Sequence, residues 1–209
     1  MADDAAAAKQ TIEVAIHERY WEIALARPEK LNAFNVAMRD ELWTTLQAAR
    51  LAGVRVALRG LGRAFCAGGD LTEFGLSQDT AEAHEIRQTR GVGWLIHQLR
   101  DRMVVAVHGA CYGAGIEMAA FAGTVIADPT ARFSLPETRF GLIPGAGGTV
   151  SVPRRIGRRR ALELVMTGRV VDAEEALSIG LIDEIVPGEQ LVDRLRALAG
   201  GAEVVDVAG

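Results

Sequence analysis

Two glutamates, Glu117 and Glu137, stand directly behind stretches able to turn the backbone toward a ligand. Glu117 follows Gly113-Ala114-Gly115, and Glu137 closes Phe133-Ser134-Leu135-Pro136-Glu137, shortly before Gly145-Ala146-Gly147-Gly148. Two carboxylates over one reacting carbon can divide acid and base work, provided their environments hold them in different protonation states. Each also has a structural rival. In a first helical turn Glu117 would complement the helix dipole, and Ser134 to Glu137 has the spacing of a capping box.

Three further stretches carry chemical potential. Gly62 to Leu71 contains Gly68-Gly69, where the backbone can turn with its amides exposed and a ligand can approach without Cβ interference; a tight strand-to-loop turn would use the same residues. In Val107 to Ala119 a strand gives way to small residues and then to a helical run, so the amides near Ala114 lie at a helix N-terminus. An oxygen that becomes negative during reaction would be stabilised there, although small residues also serve close helix packing. Gly141 to Thr149 can cradle an anion. It lacks the Gly-Lys-Ser/Thr ending of a P-loop and does not match Gly-x-Gly-x-x-Gly, so a nucleotide cofactor is not supported. The following Arg154-Arg155 and Arg158-Arg159-Arg160 suit a solvated helix face, a subunit contact or a phosphate-bearing ligand.

The elements that must position these residues alternate between the two periods. Thr11 to His17 and Tyr20 to Ala26 alternate polar and apolar residues around His17-Glu18-Arg19, which predicts a hairpin. Asn35 to Leu51 follows helical periodicity. Val54 to Leu58 and Val104 to His108 are β-branched runs ending near glycine, and Val125 to Asp128 and Ala131 to Ser134 flank an Asp128-Pro129 turn. Thr80 to Arg102 reads as one long amphipathic helix with Ile86, Trp94, Leu95 and Leu99 among its apolar positions. Arg160 to Thr167, Ala173 to Ile179 and Gln190 to Ala199 complete the helices, and the alternation of strands with helices predicts an α/β fold.

Composition bounds the rest. The chain has 209 residues, 49% apolar and 24% charged, which suits a core domain over residues 11–199 with flexible ends at 1–10 and 200–209. Its 23 basic and 27 acidic residues leave a formal charge of -4, which argues against a nucleic-acid or anionic-membrane surface. Cys66 and Cys111 are too few for a disulfide framework or zinc cluster, and a reducing cytoplasm fits best. The first ten residues do not read as a signal peptide, and no apolar run approaches the ~18 residues of a membrane span.

Taken in order, five motifs resemble the crotonase, or enoyl-CoA hydratase/isomerase, superfamily: Arg27 to Phe34, Arg63 to Leu71, Gly109 to Glu117, Pro136-Glu137, and Gly141 to Thr149. The resemblance runs from about Thr11 to Pro187. It implies a right-handed spiral of ββα units, assembled as trimers or dimers of trimers. It also implies an acyl-CoA thioester as substrate, with CoA part of that substrate and no separate cofactor or metal. The backbone amides of Gly69 and Ala114 match the hole that holds the thioester oxygen. Lys30, Leu31, Ala33, Ala67, Gly68, Asp70 and Leu71 fall in segments that line the CoA path. Glu117 and Glu137 match the two catalytic carboxylates of the hydratase branch, with Glu117 orienting water and Glu137 handling the C2 proton. The implied reaction is reversible syn addition of water to a trans-2-enoyl-CoA, giving a 3-hydroxyacyl-CoA. An enoyl-CoA isomerase using one glutamate, or a non-catalytic acyl-CoA-binding protein, is the alternative. After Ile185-Val186-Pro187 the family continues through a helical extension that helps cover the acyl pocket. Here a single predicted helix, Gln190 to Ala199, stands in that place.

Overall fold

The two alternating N-terminal runs form the expected hairpin. In the computed structural model, which describes residues 10–75, 79, 81, 85–86 and 89–201, β1 (Ile12–Ile16) pairs antiparallel with β2 (Tyr20–Leu25). From β2 onward the large sheet is parallel, adding β3 (Arg55–Gly60) and β4 (Met103–Val107). A second layer begins with β5 (Ala110–Tyr112). The chain returns to the large sheet as β6 (Thr124–Ala127) and crosses again as β7 (Arg132–Ser134) and β8 (Val171–Asp172) before rejoining it as β9 (Glu184–Ile185). The sheets have orders β1-β2-β3-β4-β6-β9 and β5-β7-β8. Isolated parallel bridges, Cys66 to Cys111 and Phe34 to Gly69, carry the second layer back toward earlier turns of the chain. The result is an α/β fold whose chain passes repeatedly between the two sheets, as the spiral of ββα units implied by the resemblance requires.

Both faces of the parallel sheet are buried, as its β-branched strands require. In β4, Met103, Val105 and Val107 face the main core, while Val104 and Ala106 face a second cluster with Ala57, Ile126 and Val186. That second face is covered by the last described helix (Leu191–Gly200) through Leu191, Leu195 and Leu198. The final helix therefore serves the back of the sheet. Gly200 ends it and Gly201, at φ 113°, caps it in the left-handed region. The expected flexible ends, 1–10 and 200–209, otherwise fall outside the described residues, apart from Gln10.

Helices whose full span lies among the described residues are α1 (Val36–Ala52), α2 (Val92–Leu99), α3 (Ala114–Ala119), α4 (Gly148–Ile156), α5 (Arg158–Thr167) and α6 (Ala173–Ser178), which makes the last one α7. The Asn35 side chain caps α1 by accepting the Met38 N–H, and Met38, Leu42, Leu46 and Ala49 form its buried stripe. The long helix expected from Thr80 to Arg102 is not continuous. Gly91 is extended (φ -71°, ψ 99°), α2 starts only at Val92, and Arg100–Arg102 tighten into a 3-10 turn; residues 80, 82–84 and 87–88 lie outside the described residues. Gly93 then lets α2 approach the Ala146 carbonyl, where a Cβ would come to 2.7 Å. Trp94, expected among the apolar positions, is 62% exposed, because Leu95, Ile96 and Leu99 form the buried face.

Candidate active site

The site begins where the second-layer ladder opens. Cys66 donates its N–H to Ala110 O at 3.0 Å and accepts from Tyr112 N–H at 2.9 Å. Gly68, at φ 104°, then breaks the strand alternation, and its carbonyl accepts from Phe34 N–H at 2.8 Å. In a trans peptide C=O and N–H point opposite ways, so the Gly69 N–H faces away from Phe34. A Cβ at Gly68 would lie 3.3 Å from Tyr112 O and 3.9 Å from Gly113 Cα, so this turn packs against the one that leads into α3. Ala114 is the first residue of α3, so its amide has no carbonyl one turn earlier in the helix. Among the described residues neither the Gly69 nor the Ala114 amide donates a hydrogen bond. A side chain at 69 would collide with the Phe74 ring, which lies 2.9 Å from the position of a Cβ.

Glu117 sits on α3 and is 2% exposed. Its Oε2 accepts N–H groups from Ala146 and Gly148, each at 2.7 Å, and Ser151 Oγ donates to its carbonyl at 3.0 Å. The glycine-rich turn does cradle an anion, and that anion is the protein's own glutamate. Gly148 permits this closeness, since a Cβ there would lie 2.6 Å from Glu117 Cγ. Burial pushes the carboxyl up to about 7; the Gly148 amide opposes the rise and the Glu137 charge adds to it.

Glu137 opens the 3-10 turn Glu137–Phe140. Its Oε1 lies over Gly113, 2.7 Å from where a Cβ would stand, and its Oε2 is buried with no hydrogen-bond partner among the described residues. Burial raises this carboxyl above its ordinary range. The capping box expected from Ser134 does not form. The Ser134 hydroxyl donates to Gly168 O at 2.9 Å, and the turn has no side-chain cap. Glu117 does lie in the first turn of its helix, where it complements the dipole, but its carboxylate is held by amides from another segment.

The structure brings the expected CoA-side residues together by backbone bonds. Ala67 N–H donates to Leu31 O at 2.9 Å, Ala33 N–H to Lys30 O at 3.0 Å, and Gly68 meets Phe34 as above. Lys30 is exposed, and Leu71 is 57% exposed on a 3-10 turn. Asp70 points inward instead, to Arg27. Sequence reasoning missed that pairing and missed Asn32, fully buried in a left-handed conformation (φ 55°). The unused signal was a polar residue inside the Leu31-Asn32-Ala33-Phe34 run. The arginine run is only partly a solvated face. Arg155 donates to Leu181 O and Ala122 O and pairs with Asp183, pinning α4 to the chain near β9.

Comparisons with known proteins agree with this architecture. Residues 16–203 match the model of the family described as Enoyl-CoA hydratase/isomerase. A protein of Rhodobacter capsulatus named probable enoyl-CoA hydratase is 40% identical over 192 residues, covering 90% of this chain and 74% of that protein. One of Rhizobium meliloti with the same name is 36% identical over 194 residues, covering 91% and 74%. The crystal structure of an enoyl-CoA hydratase from Bacillus anthracis superposes with a TM-score of 0.82 at 34% identity, covering 91% of this chain and 75% of that one. On motifs, fold and sequence alike, this chain belongs to the enoyl-CoA hydratase/isomerase family of the crotonase superfamily.

Proposed function

We propose that the protein is an enoyl-CoA hydratase, adding water reversibly and syn across a trans-2-enoyl-CoA. The observation that carries this reading is the pair of desolvated carboxylates beside the Gly69 and Ala114 amides: Glu117 is raised to about 7, and Glu137 is raised and keeps a buried oxygen without a partner. A single buried carboxylate would suffice for moving one proton. Two neighbouring carboxylates, both raised by burial, favour sharing a proton, as water addition requires.

In this mechanism the thioester oxygen accepts from the Gly69 and Ala114 amides, which stabilise enolate character; each such donor is worth about 3 kcal/mol. By the family resemblance Glu117 takes the ionised role, although burial raises it to about 7 in the free protein, and with Oε2 fixed by two amides it presents its other oxygen to water. The water oxygen bonds to C3 and the π electrons move toward C2 and the thioester oxygen. Protonated Glu137 delivers its proton to C2. One proton leaves the water for the carboxylate pair and one leaves the pair for carbon, so the pair's charge is unchanged. CoA enters and leaves as part of the substrate, with Lys30, Leu31, Ala33, Ala67 and Gly68 along its path.

An assembled state, a trimer or dimer of trimers, accompanies this reading. It is supported by the exposed Leu162 and Met166, four residues apart on α5, and by Phe140 on the adjoining 3-10 turn. Light scattering of the purified protein tests it, with a monomer the contrary result. The activity is tested by a panel of 2-enoyl- and 3-enoyl-CoA thioesters with product identification. The 3-hydroxyacyl-CoA is the expected main product. Faster double-bond migration than hydration would make the protein an isomerase, and binding without turnover at any chain length would make it a binding protein.

A further inference from the structure

We infer that Arg27 and Asp70 form a bracket that aims the Gly69 amide, and that Asp70 acts through Gly69 rather than by touching CoA. The inference rests on the oxyanion role proposed above for Gly69. Its basis is one guanidinium gripping both sides of one backbone bridge. Arg27 Nη1 donates to Ala33 O at 2.5 Å, and Nη2 donates to Asp70 Oδ2 at 2.9 Å. Ala33 immediately precedes Phe34 and Asp70 immediately follows Gly69, the two residues that form the bridge. Phe34 N–H binds Gly68 O at 2.8 Å and Asp70 N–H binds Phe34 O at 2.9 Å, so the two peptides that flank the Gly69 Cα are both held, the first of them carrying the Gly69 N–H.

The planar fork of an arginine sets direction as well as distance. Here that fork is itself anchored. The Arg27 N–H donates to Asn32 Oδ1 at 2.9 Å, while Asn32 Nδ2 donates to Leu61 O and Ala64 O, each at 2.8 Å. The Arg27 and Asp70 side chains are 16% and 10% exposed.

Asp70 has little left to offer a substrate. Its Oδ2 accepts from Arg27, and its Oδ1 accepts from Thr72 N–H at 3.2 Å and Thr72 Oγ1 at 2.7 Å. A direct CoA contact would compete with these bonds. Asp70 and Arg27 are therefore positioning residues: the first follows directly on the residue that carries the amide, and the second ties it to the Ala33-Phe34 segment.

The test uses 4-(dimethylamino)cinnamoyl-CoA, a slowly hydrated chromophore whose absorbance moves to the red when hydrogen bonds polarise its thioester carbonyl. Wild-type protein and Glu137→Gln should both bind the probe and shift it. Asp70→Ala and Arg27→Ala should bind with Kd within about threefold of wild type, yet lose at least about half of the shift. With crotonyl-CoA their kcat should fall about 10- to 100-fold at little-changed KM, the size expected for a misplaced donor. Asp70→Asn, which preserves side-chain volume and the Thr72 acceptor, should fall between them and wild type and carries the test if the alanine variant folds poorly. A purely structural role would lower the melting temperature and active fraction but leave the shift per bound probe intact, which overturns the inference. So does an Asp70→Ala variant whose KM or Kd rises tenfold with the full shift, since Asp70 would then contact CoA. No shift in the wild type overturns the oxyanion reading itself, separately from the bracket.

Discussion

Two buried glutamates on different faces of the large sheet have nearly equal burial and opposite chemistry. Glu117 is 2% exposed and Glu22 is 3% exposed. Around Glu22, on β2, stand two guanidiniums: Arg59 Nε at 2.7 Å, and Arg196 Nε and Nη2 at 2.7 and 3.2 Å. Burial alone would raise this carboxyl, but hydrogen bonds from Arg196 and Arg59 hold it below the ordinary range. The cluster fastens α7 to β2 and β3. Glu117 has only amides and another carboxylate for company, so burial wins and its proton affinity rises to about 7. Shielding of the side chain from solvent therefore does not by itself separate a structural carboxylate from a chemical one. The charge of the surroundings does, together with whether a neighbouring polar atom is left unsatisfied, as Glu137 Oε2 is.

The largest expected effect on this contrast comes from crowding the chemical glutamate. Gly148→Ala places a Cβ 2.6 Å from Glu117 Cγ, so the side chain must move and lose its two amide contacts. A drop of about 100-fold in kcat is expected from such displacement, measured by loss of enoyl-thioester absorbance. An unchanged kcat would show that the fixed Oε2 does not matter.

Titration gives the next largest effect, with opposite signs at the two sites. The folded pKa of Glu117 lies above its unfolded value of 4.5, so ionising it costs stability progressively between about pH 4.5 and 7. Relative to wild type, Glu117→Gln should gain about 3 kcal/mol across that window in urea unfolding. Glu22 is depressed below its unfolded 4.5, so its contribution is present above that pH and is lost as pH falls through the folded value. Glu22→Gln should then cost about 2 kcal/mol at pH 7, with kcat unchanged and the deficit shrinking in acid. Parallel curves for the two variants would remove the contrast. The smallest effect belongs to Ser134→Ala, about 1 kcal/mol for one neutral hydrogen bond, with kcat unchanged; loss of activity there would restore a role for Ser134 in placing Glu137.

Much of this was legible in the chain because it is local. The hairpin, α1 and the β-branched strands follow from period, and the five motifs are short runs whose order carries the family. What stayed hidden depends on contacts between distant segments. The anion held by the Gly145–Gly148 turn is about thirty residues away in sequence at Glu117, and Asp70 meets Arg27 across an interval of 43 residues. Ser134 matched a capping box by spacing, yet its hydroxyl is taken by Gly168 O. The break at Gly91 is invisible to apolar periodicity, because the residues after it, Val92–Leu99, are helical again. The two-residue strands β8 and β9 are too short to show any period.

The central claim is that Glu117 and Glu137 act together on one water. It is tested most directly by turnover of crotonyl-CoA by the wild type, Glu117→Gln and Glu137→Gln, with the product identified and folding checked by circular dichroism. Wild-type protein should form the 3-hydroxyacyl-CoA, and each folded variant should lose at least about 100-fold in kcat, the scale of a lost acid or base. Wild-type turnover in either folded variant would contradict the paired-carboxylate account.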